Sequence, residues 1–133
     1  MNSRISKIHI KHFAKKNHIL LEDYALEEVH SFNDFFVRKI KDGKRKIDFD
    51  SNIFISPCDS KLSVYKIEEN SIFNIKDAYY KVSDLIENED LALEYKNGYC
   101  LVFRLGVSDY HRYCYIDDGT QEKNISIPGV FHT

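Results

Sequence analysis

Residues 99–105 read Y-C-L-V-F-R-L, an apolar run rich in β-formers placed after the turn pair Asn97-Gly98. Such a run folds as a buried strand, and the residues after it must emerge at a strand end. There the chain carries S-D-Y-H-R-Y-C-Y-I-D-D-G over residues 108–119. An acid, an imidazole, a guanidinium, three phenols and a thiol are crowded where one strand gives way to a turn and a second strand, 113–116, is expected. A rigid strand end is a good place to hold a titrating group. Asp109 and His111 stand at i and i+2, so in extended chain they share a face. Taken alone, the stretch fits either a proton-handling site or a half-buried histidine bonded to backbone.

The rest of the chain decides what kind of body carries that strand. Its 133 residues suffice for one domain with a modest core. Nine Tyr and nine Phe against two Pro and five Gly favour a sheet-rich body over a disordered one. A formal net charge of -2 argues against a general nucleic-acid binder. No apolar run is long enough for a transmembrane helix, and the charged start M-N-S-R-I-S-K-I-H-I-K-H lacks the apolar centre of a signal peptide. Three cysteines, Cys58, Cys100 and Cys114, show no framework spacing and fit reduced thiols in a cytoplasmic compartment.

Residues 3–30 place apolar side chains near helical spacings, interrupted around Asn17 and His18. Lys7, Lys11, Lys15 and Lys16 form the solvated face of that helix, with an anionic membrane surface as the other reading. Ser31 with Asp34 three residues on is a helix start, opening a short helix over 34–40. Residues 38–46, R-K-I-K-D-G-K-R-K, hold six cations in nine positions. Near a membrane each would contribute about 1 kcal/mol of attraction to acidic lipid. Residues 41–52 read as the joint between a helical segment, 1–40, and a β-rich body, 41–133. Strands are expected at 53–55, at 61–67, half-buried with Leu62 and Val64 on one face, at 72–75 and at 124–127. Short helices are expected after Ser83 and around Leu91 to Tyr95. The fold class is α+β: an N-terminal helical cap and then a mainly antiparallel, barrel-like sheet body.

Four stretches, in order, resemble the phosphatidylserine decarboxylases. The first is S-F-N-D-F-F-V-R-K-I-K at 31–41 with Arg45 and Ile47 after it, similar to an F-x-x-F-F-x-R-x-x-K…R-x-I signature. The second is I-S-P-C-D-S at 55–60, similar to S-P-x-D-G/S. The third runs over 74–86, with Asp77 where Gly is usual. The fourth is D-Y-H-R at 109–112, which resembles the family's D-Y-H-R-x-H.

The resemblance implies a proenzyme that cuts itself before a downstream serine, which becomes a pyruvoyl group. That group takes phosphatidylserine as a Schiff base and serves as electron sink while carbon dioxide leaves, giving phosphatidylethanolamine. It also implies a peripheral protein on the cytoplasmic side of an anionic membrane, partnered by a C-terminal half, the α-chain. The cleavage serine is expected beyond Thr133, so the chain alone is expected to be inactive. By position, Asp59 matches the acid that orients the self-cleavage base, and His111 the histidine tied to protonation in decarboxylation. Asp59 and His111 are therefore expected in one pocket. The second histidine of the motif falls on Cys114, which is no neutral base. His132 is the substitute candidate. Three rival readings stand beside it: a non-catalytic module for anionic lipid acting through the basic block, a Cys/His metal site built on the H-x-x-C of His111 and Cys114, and a Cys-His hydrolase with Cys58 or Cys114 as nucleophile.

Overall fold

The computed structural model describes residues 3–121, 123, 124 and 126, and opens on a 3-10 turn, Arg4–Ile8, that runs into helix α1, His9–Lys16. Ile10 and Ala14, one helical turn apart, put their side chains into the core beside Val29 and Phe35. The helix ends at Lys16 rather than running on to 30. The His18 amide reaches the Lys15 carbonyl at 3.3 Å, the Ile19 amide reaches that of Ala14 at 2.9 Å, and His18 has a φ of 55°. This is the Schellman stop, here with histidine in the left-handed position that glycine usually fills. Ile19 then folds back onto the Ala14 cluster. After a 3-10 turn at Leu21–Asp23 comes β1, Tyr24–Ala25.

Helix α2, Phe32–Phe36, begins as expected. Ser31 Oγ accepts from the Asp34 amide at 3.1 Å, and the Asp34 carboxylate accepts from the Ser31 amide at 2.8 Å. The Ser31 hydroxyl and the backbone of His30 hold the Asp34 carboxyl below its ordinary range. The helix is shorter than 34–40, because Lys39–Ile40 forms β2 and pairs antiparallel with β1, Tyr24 opposite Ile40. Phe35 is wholly buried, with Phe13 and Phe32 packed around it, the Phe13 ring meeting Phe32 at 5.0 Å and Phe35 at 6.3 Å, edge-on to both.

Residues 41–60 form no regular element. The strand expected at 53–55 is absent; its segment lies between turns and lacks a paired neighbour. β3, Lys61–Lys66, and β6, Tyr99–Arg104, are hydrogen-bonded neighbours. Leu62 and Val64 are more than half exposed, contrary to the half-buried strand expected. β4, Phe73–Ile75, and β5, Ala78–Tyr80, make an antiparallel hairpin, Phe73 opposite Tyr80. Its two-residue turn is Lys76-Asp77, both at positive φ, 53° and 62°. Such a turn matches strand twist, and aspartate tolerates the conformation better than most residues, so Asp77 serves where glycine is usual. Helices α3, Val82–Ile86, and α4, Glu89–Glu94, come next; the Asn88 carbonyl Oδ1 caps α4 by accepting from the Leu91 amide at 2.9 Å.

The chain is thus α+β with three two-stranded sheets and, among the described residues, no closed barrel. The expected strand over 113–116 does not form a ladder, and part of the segment 124–127 lies outside the described residues. Among the described residues no helix is long and apolar enough to cross a membrane. Two compact units emerge: residues 1–61 with 103–119, and residues 62–102 with 120–133. The first is built on the Phe35 cluster. The second has Ile67 and Phe73 buried, with the Tyr65 ring 5.5 Å from that of Phe73.

Candidate active site

Both sequence motifs of interest lie in the first unit. The loop after β6 is organised by the peptide of Gly106. Its N–H donates to Asp109 Oδ2 at 2.6 Å, and its carbonyl accepts from the Asp109 amide at 3.1 Å. The same carbonyl lies 2.9 Å from His111 Nε2. A carbonyl only accepts, so Nε2 carries the hydrogen and a neutral His111 keeps its lone pair on Nδ1. Asp109 thus steers His111 through the Gly106 peptide, an arrangement that the i, i+2 spacing alone did not disclose. One face of the imidazole lies over Phe36, ring centroids 4.0 Å apart and tilted by 31°.

That loop is locked to the segment 36–40 from both sides. Arg38, only 2% exposed, donates from Nη2 to the carbonyls of Ser108 at 3.1 Å and Asp109 at 3.3 Å. In return Arg112 Nε donates to the carbonyls of Val37 at 3.1 Å and Arg38 at 3.2 Å. The Ile40 amide donates to the Tyr110 hydroxyl at 3.1 Å. The Arg38 guanidinium sits near the rings of Tyr24, 4.5 Å away, and Phe35, 5.1 Å away, with Nε and Nη1 lacking hydrogen-bond partners. Contact with two rings compensates part of its desolvation.

Asp59 stands in the turn after Ser56-Pro57, where its carboxylate is gripped by both terminal nitrogens of Arg45, one at 2.7 Å. Hydrogen bonding from Arg45, then its charge and the Tyr110 amide, hold the Asp59 carboxyl below its ordinary range despite partial burial. The same pairing with Asp59 raises Arg45. Cys114 runs alongside: its amide donates to the Pro57 carbonyl at 2.9 Å, and its Sγ lies 3.5 Å from that oxygen. Arg45, Cys58, Asp59, Tyr110, Arg112 and Cys114 line one cleft of ≈ 560 Å³.

The 55–60 turn and the 109–114 stretch, about fifty positions apart in sequence, therefore line one cleft, but His111, expected in one pocket with Asp59, is not among its lining residues. The Asp59 carboxylate is hydrogen-bonded to Arg45, while the His111 ring is bonded to Gly106. His132 lies outside the described residues. Phe36, Gly106 and Arg112 were not singled out by sequence reasoning. The first and last lie within stretches it quoted, but nothing in their types announced a partner. No group of three or more His, Cys, Asp or Glu capable of holding a metal occurs among the described residues, so His111 and Cys114 gain no further ligands there. The basic block is also partly spent inside the molecule. Arg38 is buried, Arg45 binds Asp59, and Lys44 Nζ binds Asp23 at 2.8 Å.

Residues 32–133 match the phosphatidylserine decarboxylase family model. The phosphatidylserine decarboxylase proenzyme 2 of Clostridium acetobutylicum is 46% identical over 132 residues, covering 99% of this chain and 45% of its own length. A phosphatidylserine decarboxylase proenzyme of Clostridium tetani is 38% identical over 135 residues, covering 99% of this chain and 46% of its own. One of Clostridium botulinum strain Kyoto is 47% identical over 103 residues, covering 77% of this chain and 35% of its own. The chain therefore spans somewhat under half the length of the first two relatives.

Proposed function

The chain belongs to the phosphatidylserine decarboxylase family, and from that premise we propose that it supplies the Asp59–His111 portion of an enzyme converting phosphatidylserine to phosphatidylethanolamine. The observation carrying this reading is the juxtaposition of the S-P-C-D-S turn with the D-Y-H-R stretch. The Cys114 amide bonds Pro57, and Asp59, Tyr110 and Arg112 line one cleft with them. A C-terminal half of the protein, the α-chain, is the partner. Phe49 and Phe54, largely exposed near the cleft-lining residues Ile47 and Ile55, suit a surface that such a partner covers. The enzyme works peripherally, on the cytoplasmic side of an anionic membrane.

The implied pyruvoyl group bears carbonyl oxygens, and the donor set of the cleft suits it, with two guanidinium groups and a phenol beside apolar Ile55 and Pro57. Arg112 and Tyr110 would hold it, and it would supply an electron sink for the carbanion left by decarboxylation. Each residue of this chain then has a task. Gly106 fixes the proton of His111 on Nε2, leaving Nδ1 to take up and return a proton. Phe36 keeps the imidazole plane in place. Arg45 keeps Asp59 ionised, ready to orient an imidazole N–H during self-cleavage. Cys114 stands where the family motif has a histidine, and His132 takes that base's role.

The test is a chimera in which this chain replaces the matching segment of the C. acetobutylicum relative. Self-cleavage is read on a denaturing gel and phosphatidylethanolamine by lipid chromatography. A folded chimera yielding neither, beside a parent yielding both, would refute the reading unless Cys114→His restores them. Cleavage at the parental rate in His132→Ala would remove His132 from the mechanism.

A further inference from the structure

The chain has three free cysteines, and two of them, Cys58 and Cys114, line one cleft. Cys58 comes directly after Pro57, and the Cys114 amide and Sγ both lie against the Pro57 carbonyl, at 2.9 and 3.5 Å. Peptide geometry puts the Cα of Cys58 about 2.8 Å from that oxygen and the Cα of Cys114 about 1.5 Å from its own nitrogen. The two Cα atoms are therefore at most about 7.2 Å apart, a ceiling just above the span that a disulfide bridges. Both residues line the same cleft and both are partly exposed. Neither lies in a helix or a strand ladder, so the small closing movement breaks no regular structure. Cys100 differs. It lies in β6, and burial pushes its thiol up, which disfavours the reactive thiolate.

We propose that Cys58 and Cys114 form a redox-active dithiol, a modification site at which low-molecular-weight disulfides such as glutathione disulfide close a covalent bond across the cleft. One thiolate attacks a sulfur of the small disulfide, forming a mixed disulfide and releasing one small thiolate. The second cysteine, deprotonated, attacks the protein sulfur of that mixed disulfide and expels the other. The protein loses two electrons and two protons, and the oxidant becomes two small thiols. The bond staples the turn bearing Asp59 to the stretch just beyond His111. The proposal stands on the thiol geometry and does not depend on the decarboxylase reading.

Sequence separation argues the other way, which makes the test sharp. Cys100 and Cys114 are 14 positions apart, whereas Cys58 and Cys114 are 56 apart. In an unfolded chain the shorter loop closes about eight times more readily. The reduced chain is treated with glutathione disulfide in native buffer and in concentrated urea, remaining thiols are alkylated, and bridges are mapped by peptide mass. The native sample is expected to lose two hydrogens and to join Cys58 to Cys114, leaving Cys100 alkylated, with a preference of roughly tenfold or more over any bridge to Cys100. In urea the order reverses toward Cys100–Cys114. Cys58→Ser is expected to trap glutathione on Cys114. The proposal fails if native protein accumulates separate glutathione adducts on Cys58 and Cys114 without a bridge. It fails equally if the native bridge pattern matches that in urea.

Discussion

Arg38 offers the sharpest test of how the His111 loop is held. Its side chain donates two hydrogen bonds to the Ser108 and Asp109 carbonyls and contacts the rings of Tyr24 and Phe35. Bonds from a charged donor contribute about 1.5–3 kcal/mol each, and two ring contacts about 1–2 kcal/mol together. Against this, Nε and Nη1 are buried without partners, which costs about 1–3 kcal/mol apiece. Arg38→Met removes both sides of the balance while filling much of the volume, so a net loss of about 1–2 kcal/mol is expected. Arg38→Ala adds an apolar cavity of about 2–3 kcal/mol, for a total of about 3–5 kcal/mol. Urea unfolding of the two variants and the unmutated chain, at equal m-value, measures both. An alanine variant within about 1 kcal/mol of the unmutated protein, or a methionine variant as damaging as alanine, would show that the guanidinium is not held as described.

Three further outcomes are expected. Asp59 has its folded pKa lowered by Arg45, so its contribution is present above the unfolded value of about 3.9 and fades as pH falls through the folded value; Asp59→Asn should flatten that part of the acid-stability curve, and an unchanged acid limb would contradict the pairing. Phe35→Ala, at a fully buried ring, should cost about 3–5 kcal/mol in the same urea assay, and a loss below about 1 kcal/mol would place the core elsewhere. Lys39, Lys41 and Lys46 are the exposed cations of the basic block not tied up in ion pairs, so their triple replacement by Gln should weaken binding to anionic vesicles about a hundredfold at low salt, with no change on neutral vesicles, as sedimentation would read.

The start of α2 and the turn at Asn97 were legible because capping and turn chemistry are local. The strands at 61–66 and 99–104 were legible from residue type, although 99–104, expected to be buried, is half-buried with exposed ends. The end of α1 was harder. Asn17-His18 signalled an interruption, but only the Ile19 contact with the core made it a stop, and that contact is tertiary. The 34–40 helix was misjudged because the Arg38 side chain is needed at Ser108 and Lys39 is needed opposite Ala25. The segments 53–55 and 113–116 look like strands by composition yet lack ladder partners. At the site, the neighbourhood of Asp59 and the 109–114 stretch could be expected from motif order. Arg45 as the partner of Asp59, and Gly106 as the relay to His111, arise from contacts 14 and 5 positions apart whose geometry no residue type specifies.

Residues 62–102 of the second unit fall between the two parts of the first along the chain. The chain departs after Lys61 and comes back at Phe103, and the strands on which it does so, β3 and β6, are hydrogen-bonded neighbours. Neighbouring strands run about 4.8 Å apart, so the chain between β3 and β6 leaves and returns through a narrow doorway. A segment entered through such a doorway behaves as a cassette. Its length can change by whole helices while the doorway keeps its width, because the entropy of closing a longer loop grows only with the logarithm of its size. Variation among relatives, and grafting of foreign sequence by design, therefore has a natural address between residues 66 and 99.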